Sequence, residues 1–370
     1  MSHTKKILVI AGGTYIFGAE KVTLDVIEGL KKSGYEVQVI ISGWNDGQFS
    51  QALDLLQVKY YKLKLGWYYT SKWLWSLDSL VHYPGAVWRF LRIQKHFKDW
   101  PVYTISFRQI ILLWPFFKKN IVYHVHDPNA NSKQSLFFIR VINKKVKKFI
   151  AVSDFIKKDL IKCSIASEKI TVIHNGVAMK SLEEVKESNV FYIGIVGQVI
   201  RRKGHHVLIE AMSLLDKKNL PINLEVVGSG DEQYIAELKE YVTVHKLDFR
   251  INWRGFVSDK KQIYEGIDLV VAPTQNEEPF GLTACEANML GKPVIAANTG
   301  GFLEIIEDGV NGFLVDAKNA VMIADKIEEI YSNPALYQEL SLQAIRIANN
   351  HFSVEKMNNE IQLMMMELFN

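Results

Sequence analysis

Short runs of apolar residues alternate with glycine loops and amphipathic segments along the whole chain. The first run, residues 7–11, precedes a glycine-rich loop, and a helical pattern over 20–32 leads to a second run at 37–42. Runs at 121–124 and 149–152 fit two more buried strands. This strand–helix–strand order predicts parallel sheets covered by helices, an α/β fold.

The apolar pattern is interrupted by a polar stretch from Met179 to Asn189 and restarts as a strand at 191–196. A chain of 370 residues is long enough for two hydrophobic cores. Two successive arrays of this kind predict two parallel-sheet domains that face a cleft, where ligands bind beyond the carboxyl ends of the strands. We expect a first domain over 1–178, a second over 190–350, and an amphipathic C-terminal helix over 351–370.

The composition is that of an ordinary globular enzyme, with 48% hydrophobic and 23% charged residues. The two cysteines, Cys163 and Cys285, lack metal or redox spacing, which indicates a reducing compartment. The longest apolar run, Ile110–Phe117, is too short to span a membrane, and the apolar run near the N-terminus is too short for a signal peptide. We therefore expect a cytoplasmic protein.

Positive charge is concentrated in the first half of the chain. Residues 1–185 hold 27 Lys and Arg against 14 Asp and Glu, whereas the remainder holds 17 against 26. Residues 51–150 alone hold 17 basic and 4 acidic side chains. This is either a solvated basic face or a surface for an anionic partner such as a membrane, a lipid pyrophosphate or nucleic acid.

An aromatic and basic stretch lies within the same region. Aromatic side chains next to lysines suit a membrane interface or a sugar-binding face, and they equally suit core packing under a basic helix. The residues concerned are Lys59, Tyr60, Tyr61, Lys62, Lys64, Trp67, Tyr68, Tyr69, Lys72, Trp73 and Trp75.

The most informative motif is NEEPFGLTACEANMLGKPVIAANTGG, which begins at Asn276. Two of its three glutamates, Glu278 and Glu286, bracket the junction between an apolar run and a predicted helix over 283–290. Gly281 permits close approach of a ligand, and the N–H groups of a helix start suit phosphate or sugar oxygens. Glu286, in the predicted first turn, can accept two ribose hydroxyls. Taken alone, the two glutamates could also be solvated surface residues.

Other glycine turns follow predicted strands. GQVIRRKG, residues 197–204, follows the strand at 191–196 and offers Arg202 and Lys203 to a diphosphate, although a basic helix start would look the same. The loop at 12–20 is glycine-rich without the dinucleotide-binding spacing. His124 and His126 end a strand and share one face of it, and His126 is nearer to the carboxyl end.

Together these motifs resemble the retaining glycosyltransferases of family 4, which have the GT-B fold of two Rossmann-like domains. The resemblance covers most of 5–30 and 120–350 and fades between them. It implies catalytic roles for His126 and Glu278, and ribose binding by Glu286. It also implies that the C-terminal helix over 351–370 crosses back onto the first domain. The further donor-binding positions that it implies are Gly13, Gln198, Arg202, Lys203, Gly228, Phe256, Val257, Phe280, Gly281 and Leu282. The chain departs from the family at Gln198, where arginine is usual, and at His174 and Ala178.

The resemblance implies transfer of a hexosyl unit from a nucleotide-diphospho-sugar to a polysaccharide or lipid-linked sugar. We expect a UDP-hexose such as UDP-glucose as the donor, with GDP-mannose second, and no residue decides between them. Front-face attack would retain the anomeric configuration. The chain contains no Asp-x-Asp, the motif that holds a metal ion on the diphosphate in the other major glycosyltransferase fold. We therefore expect no metal and no cofactor, and we expect basic side chains and helix N-termini to stabilise the diphosphate. We expect no nucleic-acid partner and a peripheral contact with the inner, anionic face of the cell membrane. A nonhydrolysing sugar-nucleotide epimerase and a noncatalytic sugar-nucleotide-binding subunit are the alternatives.

Overall fold

The computed structural model describes residues 5–13, 15–65, 73–97, 99–118, 120–130, 132–179 and 190–369, with the backbone alone for 73–76. These residues form two compact units. The first unit comprises Met1–Gly176 together with Val354–Asn370, and the second comprises Val177–Ser353. The predicted linker at 179–189 lies almost wholly outside the described residues.

The first unit contains a parallel sheet of seven strands in the order β3-β2-β1-β4-β5-β6-β7. Its central strands β1 and β5 are buried except at Lys6, the first residue of β1, because helices cover both faces, which is why they appear in the sequence as apolar runs. The strands are β1 (Lys6–Ala11), β2 (Glu36–Ser42), β3 (Lys59–Leu63), β4 (Val102–Thr104), β5 (Ile121–Val125), β6 (Val146–Ala151) and β7 (Ile170–Val172). The helices are α1 (Gly18–Lys32), α2 (Gln48–Leu55), α3 (Trp73–Gln94), α4 (Phe107–Leu112), α5 (Lys133–Ile142) and α6 (Asp154–Lys162).

The second unit contains a parallel sheet of six strands in the order β10-β9-β8-β11-β12-β13. The prediction of two parallel sheets is therefore confirmed. The strands are β8 (Phe191–Val196), β9 (Ile222–Val227), β10 (Ile251–Gly255), β11 (Leu269–Ala272), β12 (Val294–Ala297) and β13 (Gly312–Val315). The helices are α7 (His205–Lys217), α8 (Glu232–Val244), α9 (Lys260–Tyr264), α10 (Leu282–Met289), α11 (Phe302–Ile305), α12 (Ala320–Ser332) and α13 (Pro334–His351).

Each sheet has a point at which the strand order reverses. In the first unit the reversal falls between β1 and β4, and in the second between β8 and β11. Connections on the two sides of such a point leave toward opposite faces of the sheet, so the loops after these strands separate and leave a crevice. The predicted motifs at 12–20, 197–204 and 276–281 all follow one of these strands.

The aromatic and basic stretch at 59–75 divides into two parts. Residues 59–63 form the edge strand β3, in which the Tyr61 ring packs edge-on against Phe97 at 5.8 Å between centroids. The ammonium groups of Lys59 and Lys62 lie over the Tyr61 and Tyr60 rings. This part belongs to packing at the sheet edge, where lysines also discourage pairing with another strand. Trp67, Tyr68, Tyr69 and Lys72 lie outside the described residues, as do the side chains of Trp73 and Trp75.

Among the described residues, no helix combines the length and the apolar character that crossing a bilayer requires.

The last helix, α14 (Val354–Phe369), packs on α1 of the first unit. The Asn358 side-chain amide donates to the carbonyl of Asp25 at 3.2 Å. A Cβ atom at Gly29 would lie 2.3 Å from the Asn358 side chain, so this glycine lets the two helices approach closely. The buried face of α14 consists of Met357, Ile361, Met364 and Met365.

We predict that Ile361→Ala lowers the free energy of unfolding by about 2–4 kcal/mol, because it leaves a cavity between α14 and the first unit. Ile361 is 1% exposed, whereas Leu363 on the same helix is 57% exposed and provides the control. Leu363→Ala should change the free energy by no more than about 0.5 kcal/mol. Urea unfolding followed by circular dichroism measures both. Equal effects of the two substitutions would contradict the packing of α14 described here.

Candidate active site

The turns after β8 and β9 pack backbone against backbone. Gly197 and Gly228 both have left-handed backbones, with φ of +138° and +146°. A Cβ atom at Gly228 would lie 1.8 Å from the carbonyl oxygen of Gly197. No side chain fits at Gly228, so the structure explains this glycine without any ligand.

Glu278 lies between two cationic side chains at the strand reversal of the second unit. The Lys203 ammonium is 2.8 Å from Glu278 Oε2, and an Arg202 guanidinium nitrogen is 3.4 Å from the same atom. Lys203 and Arg202 belong to a 3₁₀ turn after β8, whereas Glu278 follows β11. The side chains of Lys203 and Glu278 are 19% and 14% exposed, so water screens this pair less than a surface pair. An anionic ligand that enters here would compete with Glu278 for both cations.

The backbone around Glu278 is held by neighbouring turns. Its carbonyl accepts the N–H of Gly301 at 2.7 Å, and a Cβ atom at Gly300 would lie 2.3 Å from the same oxygen. The carbonyl of Arg202 accepts the N–H of Gln275 at 2.7 Å, which ties the β8 turn to the β11 loop. The positions of Glu278 and Arg202 are therefore set by main-chain contacts in addition to their ion pair.

Helix α10 begins at Leu282, one residue before the predicted start. Glu286 is its fifth residue and lies in the second turn, so the prediction of a first-turn position was wrong. Gly281 caps the helix with φ of +110°, and a Cβ atom there would lie 2.7 Å from the Phe302 ring. The positive φ and this packing together require glycine at position 281. Phe280 is buried and lies edge-on to Phe352 at 5.9 Å between centroids.

Two residues that the sequence analysis missed hold the Glu286 carboxylate. The Tyr264 hydroxyl donates to Oε2 at 2.8 Å, and the Lys260 ammonium lies 3.1 Å from Oε1. Burial, and then the negative charge of Glu286, raise the pKa of Tyr264 well above its usual value. Tyr264 therefore remains a hydrogen-bond donor at all physiological pH values. These two donors orient the carboxylate and leave it lone pairs for a further donor.

A cavity lies at the carboxyl ends of β8 and β11, next to Lys203. Thr274 and Thr283 contribute its other polar side chains, and Phe302 closes part of its apolar wall. The cavity measures about 10 Å³, room for roughly one water molecule, and Lys203 connects its wall to the ion pair with Glu278.

The other predicted residues of the second unit are more peripheral. Gln198 is exposed in the turn after β8. Phe256 is 73% exposed, Val257 is half-buried, and both follow the edge strand β10. Strand β10 is two positions from β8 in the sheet, a separation of about 10 Å at the usual strand spacing. Phe256 and Val257 therefore lie to one side of the Lys203–Glu278 pair.

In the first unit, the His124 and His126 rings lie next to each other at the end of β5, with their centroids 4.3 Å apart and their planes tilted by 42°. His124 is fully buried, and its Nδ1 lies 2.5 Å from the Tyr103 hydroxyl. The Nε2 atoms of both histidines are buried, and neither contacts a hydrogen-bonding group among the described residues. Burial lowers the pKa of His126 to about 3, and burial together with His126 lowers the pKa of His124. Both rings are neutral at pH 7.

The glycine loop after β1 packs against the side chain of Glu20 at the start of α1. A Cβ atom at Gly13 would lie 2.3 Å from the Glu20 carboxylate, and this carboxylate accepts the N–H of Phe17 at 3.2 Å. Burial raises the pKa of Glu20, and the charge of Asp127, next to His126, raises it further. Gly13 therefore makes room for a carboxylate near the end of β5. Thr14 lies outside the described residues.

Comparison with known proteins identifies the class. Residues 16–180 match Glycosyltransferase Family 4, and residues 180–347 match Glycosyl transferases group 1. The structure of Anabaena Alr3699/HepE, solved in complex with UDP-glucose, superposes with a TM-score of 0.80 at 24% identity and covers 98% of this chain and 100% of that one. The protein is a glycosyltransferase with the GT-B fold. Within that class, the chain belongs to glycosyltransferase family 4.

Two bacterial glycosyltransferases have sequences similar to that of this chain. The capsular polysaccharide biosynthesis glycosyltransferase CapM of Staphylococcus aureus is 27% identical over 248 residues, which is 62% of this chain and 65% of CapM. An uncharacterized glycosyltransferase of Haemophilus influenzae is 24% identical over 359 residues, covering 93% of this chain and 94% of that protein. The chain thus matches slightly less than two thirds of the length of CapM.

The lowered pKa of His126 predicts how stability depends on pH. In the unfolded chain His126 takes up a proton near its ordinary pKa of about 6.5, whereas in the folded chain it does so only near pH 3. The unfolded state therefore binds more protons between these values, and stability falls as the pH falls. His126→Gln removes this titrating group. The free energy of unfolding should then depend less steeply on pH, by up to about 1.4 kcal/mol per pH unit. Urea unfolding at several pH values checks this, and an unchanged slope would contradict a buried neutral His126.

Proposed function

We propose that this protein is a retaining glycosyltransferase that moves a hexosyl unit from a nucleotide-diphospho-sugar to a glycan. The observation that carries the proposal is the Lys203–Glu278–Arg202 cluster at the strand reversal of the second unit. It combines two cations for a diphosphate with a carboxylate for sugar hydroxyls. Both types of group are needed to hold a nucleotide-sugar at its reacting end.

The Glu286 carboxylate is proposed as the ribose site. Two ribose hydroxyls can donate to the lone pairs that Tyr264 and Lys260 leave available. UDP-glucose is the favoured donor and GDP-mannose the second. The Anabaena structure with UDP-glucose supports a uridine donor. No side chain of the site by itself distinguishes the two bases.

In the proposed reaction, the bond between the anomeric carbon and the diphosphate oxygen breaks as an acceptor oxygen bonds to the same face of that carbon. The acceptor proton passes to the leaving phosphate oxygen, so no protein nucleophile is required and the configuration is retained. Lys203 and Arg202 stabilise the charge that develops on the diphosphate. Glu278, released from these cations by the diphosphate, accepts hydrogen bonds from the sugar. The neutral ring of His126 contributes a hydrogen bond to the sugar as positive charge develops.

The acceptor is proposed to be a growing polysaccharide or a lipid-linked sugar. The role of CapM in capsular polysaccharide biosynthesis supports this class of acceptor. The diphosphate is proposed to need no metal ion or cofactor, because Lys203 and Arg202 supply the compensating charge.

Product analysis with a panel of UDP- and GDP-sugars tests the function. With a glycan acceptor and about 5 mM EDTA, enough to remove a bound divalent ion, the products should be an α-linked glycan and a free nucleoside diphosphate. Loss of activity in EDTA and its rescue by Mg²⁺ or Mn²⁺ would contradict the proposed charge stabilisation. A new nucleotide-sugar formed from donor alone would instead identify an epimerase. Donor binding without any product would identify a noncatalytic subunit.

We predict that Glu286→Ala weakens binding of UDP or GDP by about 1–3 kcal/mol, because the ribose hydroxyls lose their acceptor. Glu277, exposed beside Glu278, provides the control. Glu277→Ala should bind the nucleotides like the wild type. Isothermal titration calorimetry measures both, with a thermal melt of each variant to show that it is folded. Unchanged affinity in Glu286→Ala would exclude the ribose assignment.

We predict that His126→Ala leaves nucleotide affinity nearly intact and lowers turnover by about 10²-fold or more, because a contact to the reacting sugar is lost. His124→Ala should lower turnover much less. Its ring lies farther from the end of β5 and faces Tyr103, so its loss should mainly reduce stability. Rates corrected for the folded fraction separate the two effects. An inactive His124→Ala beside a normal His126→Ala would show that the wrong histidine has been chosen.

A further inference from the structure

Helix α3 of the first unit carries apolar side chains on two opposite faces. Its inner face contains Ala86 and Phe90, which are 3% and 1% exposed. Phe90 packs against the Phe116 and Phe117 rings at 5.8 Å. The Tyr83 hydroxyl on the same face donates to the carbonyl of Leu112 at 2.7 Å. These contacts fix which face of the helix points outward.

The outward face of α3 presents an apolar stripe to solvent. Successive members are three or four residues apart, except for one adjacent pair, so at 3.6 residues per turn they lie within about 100° of one another. Most amphipathic surface helices place polar residues there, and a continuous exposed apolar patch marks an interaction surface. The α3 stripe consists of Leu77 (50% exposed), Leu80 (68%), Val81 (68%), Trp88 (57%) and Leu91 (41%), with the exposed Pro84 among them.

Positive charge borders the α3 stripe. The Arg92 guanidinium lies over the Trp88 ring at 4.4 Å from its centroid, and Arg89 and Lys95 are exposed nearby. The acidic residue of α3, Asp78, lies near the other end and is 3.4 Å from the His82 ring. The surrounding residues, 51–150, hold 17 basic and 4 acidic side chains. The partner of this surface must therefore be apolar and negatively charged.

We propose that the α3 stripe is a docking surface for an anionic lipid bilayer, on which the helix lies in the plane of the interface. Leucine, valine and tryptophan side chains enter the boundary between headgroups and acyl chains, while arginines and lysine reach the lipid phosphates. Nucleic acid would satisfy the charge and leave the apolar stripe in water. A bilayer satisfies both features with one surface. The proposal does not depend on the donor chemistry, because vesicle binding requires no nucleotide-sugar.

Co-sedimentation of the full chain with vesicles tests the proposal. The protein should bind vesicles that contain phosphatidylglycerol and should not bind pure phosphatidylcholine. The variant Leu80→Ser with Val81→Ser should bind about ten-fold or more weakly, because both side chains lose apolar burial. Arg89→Gln with Arg92→Gln should also bind about ten-fold more weakly, and binding should fall as salt is raised to about 0.5 M.

The matched control is Leu55→Ser, since Leu55 is 86% exposed on α2 of the same unit and lies outside the stripe. It should bind like the wild type, and thermal melts should show all variants folded. Lipids brominated near the headgroup should quench tryptophan fluorescence less in Trp88→Phe than in the wild type.

Several results would overturn the proposal. Equal binding of the protein to neutral and anionic vesicles would contradict it, and so would the absence of binding to anionic vesicles. Binding like that of the wild type by the variant Leu80→Ser with Val81→Ser would contradict it as well.

A further contrary result is self-association of the wild type without vesicle binding, detected by light scattering and lost in the variant Leu80→Ser with Val81→Ser. It would assign the stripe to contact between copies of this chain.

Discussion

The reversal of strand order between β8 and β11 is the constraint on which the candidate site of the second unit depends. Because the chain leaves these adjacent strands toward opposite faces of the sheet, their loops separate and leave space at the strand ends. Lys203 and Glu278, which are 75 residues apart in sequence, meet in that space. In the first unit, the reversal between β1 and β4 brings the glycine loop after β1 next to α4. The contact is close, because a Cβ atom at Gly12 would lie 1.9 Å from the side chain of Gln109 on α4.

The charged side chains of the site have partners of opposite sign before any ligand arrives. Leaving a partly buried charge without a partner is costly, and Glu278 prevents this for both Lys203 and Arg202. Glu286 is balanced in the same manner by Lys260, with Tyr264 as a neutral donor. Binding of a diphosphate would therefore exchange one anionic partner for another, rather than neutralise isolated cations. Under the proposed function, this exchange frees Glu278 when the sugar needs it.

The sequence predicted β1, β2, β5 and β8 to within one residue at each end, because parallel strands covered on both faces are continuous apolar runs. It did not predict the short strands β4, β12 and β13. It located the start of β6 less well, since Lys147 and Lys148 interrupt the run at the sheet surface. It missed β3, whose alternation of lysine and tyrosine is typical of an edge strand. The family resemblance named Glu278, Glu286 and Lys203, whereas no local pattern distinguishes Tyr264 or Lys260. Their contact with Glu286 depends on how α9 and α10 pack, which is a property of the tertiary structure.

The first unit is discontinuous in sequence, and this bears on how the chain folds during synthesis. Helix α14, which packs on α1, is made only after the whole second unit, residues 177–353. At ordinary rates of translation the surface of α1 that receives α14 stays uncovered for about 10–35 s. The second unit can meanwhile fold as a continuous segment. A nascent chain therefore has a period in which an apolar surface of its first unit is accessible to chaperones or to neighbouring nascent chains.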